Sequence, residues 1–224
     1  MVVRADNYRF RTSDSLEVPQ PERFVKRVTV HGITTPVLRQ LTERRPNMSN
    51  GIDRSLQMLF KALEMEEKGK SFYETAISTC QNKLGREIFQ MLMKDEGIHM
   101  DRIKSIYEAL KAGEAWSEKW KSIKPDHKDL GILFKEMASA HGTEITAKTS
   151  DLEALDIGID LEFRAISFYQ QHLAKAIDPM EREFIDQMIT EEKSHHAALS
   201  DMKLYFSDPA AWFGEHERHI LDGA

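Results

Sequence analysis

The sequence predicts an all-α protein whose main body is a four-helix bundle, and three observations lead to this prediction. Apolar residues recur at helical spacing in four long stretches from Asp53 onward. The same chemistry-bearing side chains return 96 residues later, so the four stretches form two similar pairs. The links within each pair are short, whereas residues 113–149 form a long connection between the pairs. We therefore expect two duplicated antiparallel hairpins joined by a crossover along the bundle.

The first hairpin is predicted from residues 53–80 and from the stretch that follows Lys83-Leu84-Gly85. Its second helix is expected to end at Ala112-Gly113, because glycine often follows the last turn of a helix. A short helix is predicted near residues 127–140 of the connection. The inner positions of the two long helices are Leu56, Leu59, Leu63, Glu66, Tyr73, Ile77, Ile88, Leu92, Glu96, His99, Ile103, Ile106 and Leu110.

The second hairpin is predicted to begin at Ser150, with Glu153 three positions on in the capping-box arrangement. Asp178-Pro179 is expected to end its first helix and begin its second. Residues 208–213 are interpreted as a tail that contains Trp212. The inner positions are Leu155, Ile159, Glu162, Ile166, Tyr169, Leu173, Ile185, Met188, Glu192, His195, Leu199 and Met202.

The first 50 residues differ from the rest of the chain. They contain four of the seven prolines and show no long helical periodicity. The stretch 24–30 alternates enough for a short strand, and Thr35-Pro36 is typical of a helix start. We expect residues 1–50 to be an N-terminal extension of unknown role, and residues 51–224 to form the bundle and its C-terminal tail.

Composition excludes several classes of function. Residues 1–50 carry 9 Lys and Arg against 5 Asp and Glu, whereas residues 51–224 carry 22 against 32. An acidic body argues against nucleic acid as a partner. No apolar run approaches the roughly 20 residues that span a bilayer, and no secretory signal is recognisable, so we expect a cytoplasmic protein without membrane contact. The single cysteine, Cys80, cannot form an intrachain disulfide.

The candidate site is a doubled pattern of one Glu helix and one Glu-x-x-His helix. Glu and His three positions apart lie on neighbouring parts of a helix surface and can point into one site. Two such helices, with one Glu from each of two others, are what a four-helix bundle uses to hold two metal ions. The predicted ligands are Glu66, Glu96, His99, Glu162, Glu192 and His195.

Electrostatics favours metal ions among these residues. Four carboxylates on otherwise apolar faces would repel one another, and two divalent cations would neutralise them. Carboxylate and imidazole together suit iron or manganese, with zinc as an alternative. A metal-free polar network is the competing interpretation. His196 and Glu191 adjoin two of the predicted ligands, and the 96-residue register selects His195 and Glu192 over them.

Three further residues accompany this pattern. Tyr73 and Tyr169 lie seven positions beyond Glu66 and Glu162. Each tyrosine could hydrogen-bond a ligand carboxylate or pass an electron, and a core tyrosine with a satisfied hydroxyl is the alternative. Gly69 stands inside a helix, where glycine costs about 1 kcal/mol relative to alanine, so its size suggests close packing or room beside the metals.

These residues give the chain a resemblance to the rubrerythrin branch of the ferritin-like superfamily, over residues 53–206. The resemblance implies that the six residues are ligands of two iron ions. It also implies a reduced iron pair that reacts with hydrogen peroxide or dioxygen, in a protein that is often a dimer. The matching motifs are Glu66-x-x-Gly69-x-x-Phe72-Tyr73, Glu96-x-x-His99, Glu162-x-x-Ala165-x-x-Phe168-Tyr169 and Glu192-x-x-His195.

One departure from the family changes the functional expectation. Full rubrerythrins carry an additional iron held by four cysteines, and this sequence has only Cys80. Electrons would then come from an external donor protein or from ferrous iron itself. We expect a di-iron peroxidase or ferroxidase that protects against peroxide and free iron. A non-catalytic iron-binding or delivery module and a di-manganese catalase-like protein are the alternatives.

Overall fold

The computed structural model describes residues 46–142 and 147–221, with side chains for 51–142 and 147–216. This part of the chain folds into six α-helices and one 3₁₀ turn, and it contains no strand. The elements are α1 (Pro46–Thr79), α2 (Lys83–Lys111), the 3₁₀ turn (Glu118–Ser122), α3 (Leu130–His141), α4 (Thr149–Leu173), α5 (Pro179–Ser207) and α6 (Pro209–Leu221).

Helices α1, α2, α4 and α5 form the predicted bundle. The pairs α1–α2 and α4–α5 are the two hairpins, and α1 also packs on α4 while α2 contacts α5. The long link between α2 and α4 crosses the bundle and contains the 3₁₀ turn and α3. This is the all-α, ferritin-like arrangement that the sequence predicts, and it brings the inner faces of the four long helices together.

The ends of the helices in each hairpin follow from local sequence. The Asn82 side chain caps α2 by accepting a hydrogen bond from the Gly85 N–H at 3.1 Å. Asp178 caps α5 in the same way, with Pro179 in the first turn, so the predicted start of this helix is confirmed. Helix α4 already ends at Leu173, so Asp178-Pro179 does not end it as predicted. Gly113 follows α2 with φ of 85°, a conformation that glycine adopts without a steric penalty.

Helix α1 begins seven residues before the predicted start at residue 53. Its first turn contains Pro46, which is compatible with that position because the first N–H groups of a helix have no internal partner. The segment 47–51 includes two asparagines and a glycine. Because these residues are weak helix formers, the sequence pattern did not predict that the helix begins before residue 53. The rest of the predicted extension, including the strand at 24–30 and the helix start at Thr35-Pro36, lies outside the described residues.

The capping box predicted at Ser150 and Glu153 is wrong. Helix α4 begins at Thr149, and Glu153 is exposed. Asp151 instead accepts hydrogen bonds from the Lys148 N–H at 3.1 Å and from the Gln81 N–H at 3.4 Å. Because Asp151 is buried and also ties α4 to the link between α1 and α2, this tertiary contact outweighs the local motif.

The interpretation of residues 208–213 as a tail is also wrong, because residues 209–213 form the start of helix α6. The Asp208 side chain accepts a hydrogen bond from the Ala211 N–H at 2.9 Å. Trp212 is buried and packs edge-on against Phe134 of α3 and Tyr205 of α5. Helices α3 and α6 therefore close one end of the bundle. The sequence analysis missed α6 because its packing depends on contacts between Trp212 and residues that are distant along the chain. No helix in the described part of the chain has the length and apolarity needed to cross a bilayer.

Substitution of Trp212, with its repeat counterpart Trp116 as the control, tests whether the packing of α6 stabilises this end of the bundle. Trp212 is fully buried, whereas Trp116 is only partly buried beside Phe184. We expect Trp212→Ala to lower the free energy of unfolding by about 3–5 kcal/mol, as deletion of a buried large side chain does, and Trp116→Ala to lower it less. Urea denaturation followed by circular dichroism measures both. Equal losses would contradict the role assigned to α6.

Candidate metal centre

All six predicted ligands lie at the centre of the bundle. Their exposed fractions are between 0 and 3%, although all six are polar or charged. Glu66 comes from α1 and Glu162 from α4, each on the inner face of its helix. The two Glu-x-x-His pairs, from α2 and α5, complete the set. One residue or pair from each long helix therefore meets at one place, as the repeat predicts.

The six side chains form two overlapping groups. One donor atom from each of Glu66, Glu96 and His99 lies within 4.8 Å of the others, and the same holds for Glu96, Glu162, Glu192 and His195. Because Glu96 belongs to both groups, it stands where a carboxylate could bridge two ions. The rings of His99 and His195 stack with their centroids 5.5 Å apart.

The Nδ1 atoms of both histidines face this cluster. His99 Nδ1 lies 3.2 Å from Glu66 Oε2 and 3.2 Å from Glu192 Oε1. His195 Nδ1 lies 3.7 Å from Glu162 Oε2 and 3.7 Å from Glu192 Oε2. Each imidazole could therefore offer Nδ1 to a cation that the surrounding carboxylates also reach.

Several of these inward atoms lack a partner within the protein. Glu96 Oε2, both carboxylate oxygens of Glu192 and His195 Nδ1 are buried and make no hydrogen bond of acceptable geometry. An unpaired buried polar atom is costly, and four at one point are unusual in a folded protein. Carboxylate oxygen and imidazole nitrogen are the donors that iron, manganese and zinc bind, so the residues fit a metal centre.

Without cations, protons would have to hold these charges together. Burial and the Glu66 carboxylate raise the pKa of Glu96, and burial with the neighbouring Glu192 raises that of Glu162 to about 8. Burial alone would lower the pKa of His99, but the facing carboxylates raise it well above its usual value, and His195 behaves likewise. The cluster therefore retains protons that divalent cations would displace.

Tyr73 and Tyr169 cross between the hairpins. The Tyr73 hydroxyl donates a hydrogen bond to Glu162 Oε1, and the Tyr169 hydroxyl donates one to Glu66 Oε1. Burial raises the pKa of both tyrosines well above the usual value, so each hydroxyl keeps the proton it donates. Of the two roles considered for them, this geometry favours orientation of the carboxylates.

Two carboxylates that the sequence analysis did not assign lie behind the histidines. His195 Nε2 donates to Asp95 Oδ2 at 3.2 Å, and His99 Nε2 donates to Glu191 Oε2 at 2.9 Å. Such outer hydrogen bonds fix the ring orientation of a metal-binding histidine and leave its other nitrogen free. Asp95 and Glu191 are themselves 96 residues apart, so the repeat could have identified them. Glu191 and the partly buried His196 belong to neither donor group.

A cavity of about 550 Å³ opens on the outer side of the histidines. It is bounded by α2, α5 and the crossover, and Asp95 and Glu191 lie on its wall. Arg102 Nη1 donates to Glu191 Oε2 at 2.5 Å, and His127 Nε2 lies 2.9 Å from Asp95 Oδ1. Burial alone would raise the pKa of Glu191, but the neighbouring His99 and Arg102 lower it to about 2. Neither Arg102 nor His127 shows a pattern in the sequence, because their partners are distant along the chain.

Gly69 provides space beside the cluster. A Cβ atom at this position would lie 3.1 Å from the carboxylate carbon and one oxygen of Glu96, which is closer than ordinary packing. The glycine predicted to allow room beside the metals therefore does so for Glu96 in particular. Its repeat counterpart is Ala165, so the two halves of the site differ here.

A helical bundle with four inward carboxylates and two inward histidines defines the class of ferritin-like proteins with a central metal-binding cluster. A family model described as Rubrerythrin matches residues 57–203, which is more than half of the chain. The chain therefore belongs to the rubrerythrin family. No curated protein and no solved structure gave a significant match.

The protons that the buried cluster retains without metal lead to a prediction for the stability of the metal-free protein. Because Glu162, His99 and His195 have raised pKa values, the folded state holds more protons than the unfolded state from about pH 4.5 to above pH 8. The free energy of unfolding should therefore fall as pH rises through this range, and added divalent metal should stabilise more at high pH. Thermal unfolding with chelator or ferrous iron, without oxygen, measures this at about pH 6 and about pH 8.5. A metal effect that is independent of pH would contradict the prediction.

Gly69 provides a second prediction with a matched control. Gly69→Ala should displace the Glu96 carboxylate and weaken metal binding, because the new methyl group meets it at 3.1 Å. Gly97→Ala is also within a long helix but meets nothing within 4 Å, so it should leave metal binding unchanged and stabilise the fold by up to about 1 kcal/mol. Isothermal titration of both variants with cobalt measures the difference. Equal metal affinities would show that Gly69 does not provide space for Glu96.

Proposed function

We propose that the protein is a di-iron oxidoreductase that reduces hydrogen peroxide, or that oxidises ferrous iron with peroxide or dioxygen. The observation that carries this proposal is the cluster of buried carboxylate and imidazole atoms that lack partners within the protein. Membership of the rubrerythrin family supports iron as the metal. Two reduced iron ions would supply the two electrons that convert one peroxide molecule and two protons into two water molecules.

In this proposal each residue of the cluster has a role as ligand or support. Glu66 and Glu162 would hold the ions, and the two Glu-x-x-His pairs would supply the remaining ligands. The Tyr73 and Tyr169 hydroxyls keep the Glu162 and Glu66 carboxylates in place through the hydrogen bonds that cross between hairpins. The surrounding apolar packing limits the entry of water, which strengthens electrostatic interactions within the site.

The source of electrons is also part of the proposal. The sequence has one cysteine, too few for an iron centre with four thiolate ligands. We propose that a separate donor protein reduces the oxidised iron pair, or that ferrous iron itself is the substrate and electron source. The family resemblance further suggests a homodimer.

Anaerobic loading with ferrous iron followed by one equivalent of peroxide tests the proposal. Rapid oxidation of two iron ions per chain is expected, followed by ultraviolet absorption of the ferric product. Glu96→Ala and Glu192→Ala should abolish the rapid phase, because each removes a buried ligand. Glu67→Ala is the matched control, since this exposed carboxylate adjoins Glu66 and should not affect the reaction. Slow oxidation in the unmodified protein, or a rapid phase that survives in both ligand variants, would overturn the proposal.

The single cysteine favours one alternative, an iron-binding or iron-delivery protein without sustained turnover. The two functions differ in the number of catalytic cycles. Repeated peroxide reduction in the presence of an added electron donor would support the enzyme, whereas a single oxidation followed by release of iron would support the binding protein. Elemental analysis of the purified protein separates both from a di-manganese centre that disproportionates peroxide.

A further inference from the structure

The crossover contacts the outer side of the metal-ligand cluster at two places. The Ile123 carbonyl accepts a hydrogen bond from Arg102 Nε at 2.7 Å, and the His127 ring contacts Asp95. Ile123 and His127 lie four positions apart along the crossover. Asp95, Arg102 and His127 line the 550 Å³ cavity. The crossover therefore contacts one of the two carboxylates that support a histidine directly, and it contacts the other through Arg102 of α2.

Two series of hydrogen-bonded side chains run from the outer wall to the histidines. Each consists of an outer nitrogen group, a carboxylate and an imidazole, but the outer group differs between them. On one side Arg102 contacts Glu191, which accepts from His99. On the other side His127 contacts Asp95, which accepts from His195. Each outer carboxylate thus lies between an inner imidazole and an outer nitrogen group, and the two series share no residue.

The outer groups are not related by the repeat. The position 96 residues after Arg102 is Ala198, a buried apolar residue, and the crossover that carries His127 occurs once. Arg102 is a planar, permanently charged group that can bond two acceptors at once, here the Ile123 carbonyl and Glu191. His127 has both ring nitrogens beside acceptors, the Lys128 carbonyl oxygen at 2.7 Å and Asp95 Oδ1 at 2.9 Å.

From this geometry we propose that the crossover makes the two metal positions unequal, with His127 and Arg102 as positioning residues for separate positions. His127 acts through Asp95 on His195, and Arg102, anchored at Ile123, acts through Glu191 on His99. Outer hydrogen bonds of this kind change metal affinity by roughly 10–100-fold when removed. The inference rests on the proposed use of His99 and His195 as metal ligands.

Anaerobic titration of the full-length metal-free protein with cobalt(II) tests the proposal, because cobalt binds such sites without oxidation and its visible absorption reports each binding step. We expect two steps in the unmodified protein. His127→Ala should weaken by roughly 10–100-fold only the step that His195→Ala removes. Arg102→Lys, which keeps the charge but not the planar fork, should weaken only the step that His99→Ala removes.

Lys124→Ala is the matched control, since Lys124 is exposed on the same cavity wall and should change neither step. His127→Gln keeps an amide donor for Asp95 and should weaken the same step by a smaller factor, so it replaces His127→Ala if that variant does not fold. Circular dichroism verifies the fold of each variant.

Three outcomes would overturn the inference alone: equal weakening of both steps by either variant, no weakening by either, or the same effect from Lys124→Ala. Failure of the unmodified protein to bind two cobalt ions would overturn the proposed function as well. The exchangeable Nε2 protons of the bound histidines give a second measurement by paramagnetic NMR. Only the His195 signal should change in His127→Ala, whereas a general loosening of the bundle would change both.

Discussion

Four carboxylates buried at the centre of a helical bundle must share compensating positive charge, and much of this structure follows from that requirement. Burial removes the water that would stabilise separate charges, and mutual repulsion then raises the pKa of Glu96 and Glu162. Without metal, protons on the carboxylates and on the two histidines provide the compensation. With metal, two divalent cations would provide it and would also satisfy the donor atoms that have no partner in the protein.

The same requirement links the fold to the site. Each of the four long helices contributes to the cluster, so the site cannot assemble unless both hairpins pack together. The crossed bonds from Tyr73 to Glu162 and from Tyr169 to Glu66 join one hairpin to the other at this level. Outside the cluster, Asp95 and Glu191 hold the histidines from behind. The ligand side chains are therefore held by a second set of residues, in which tyrosines orient two carboxylates and outer carboxylates orient the two histidines.

The sequence was sufficient for those features that repeat or have a regular period. The four long helices follow from apolar spacing, and the 96-residue register brought out the six residues that the structure places in one cluster. Asp95 and Glu191 are also 96 residues apart, but their relation to the site is recognisable only after the structure shows that each accepts a hydrogen bond from a histidine. Gly69 could be interpreted from its size alone, because a missing side chain inside a helix requires a neighbour that uses the space.

What the sequence could not predict depends on contacts between distant segments. Asp151 replaced the local capping box because its partner, the Gln81 N–H, lies in another loop. Helix α6 depends on the burial of Trp212 against Phe134 and Tyr205. The roles of His127 and Arg102 depend on the path of the crossover, because His127 lies in it and Arg102 bonds its Ile123 carbonyl. The sequence of the crossover has no periodic pattern that would predict this path.

An anomalous-scattering map of crystals of the purified protein, combined with elemental analysis, tests the central claim most directly. The account predicts two metal ions per chain, one bound by Glu66, Glu96 and His99 and the other by Glu96, Glu162, Glu192 and His195. A cluster that holds no metal after anaerobic loading, with its carboxylates satisfied by protons and water, would contradict it.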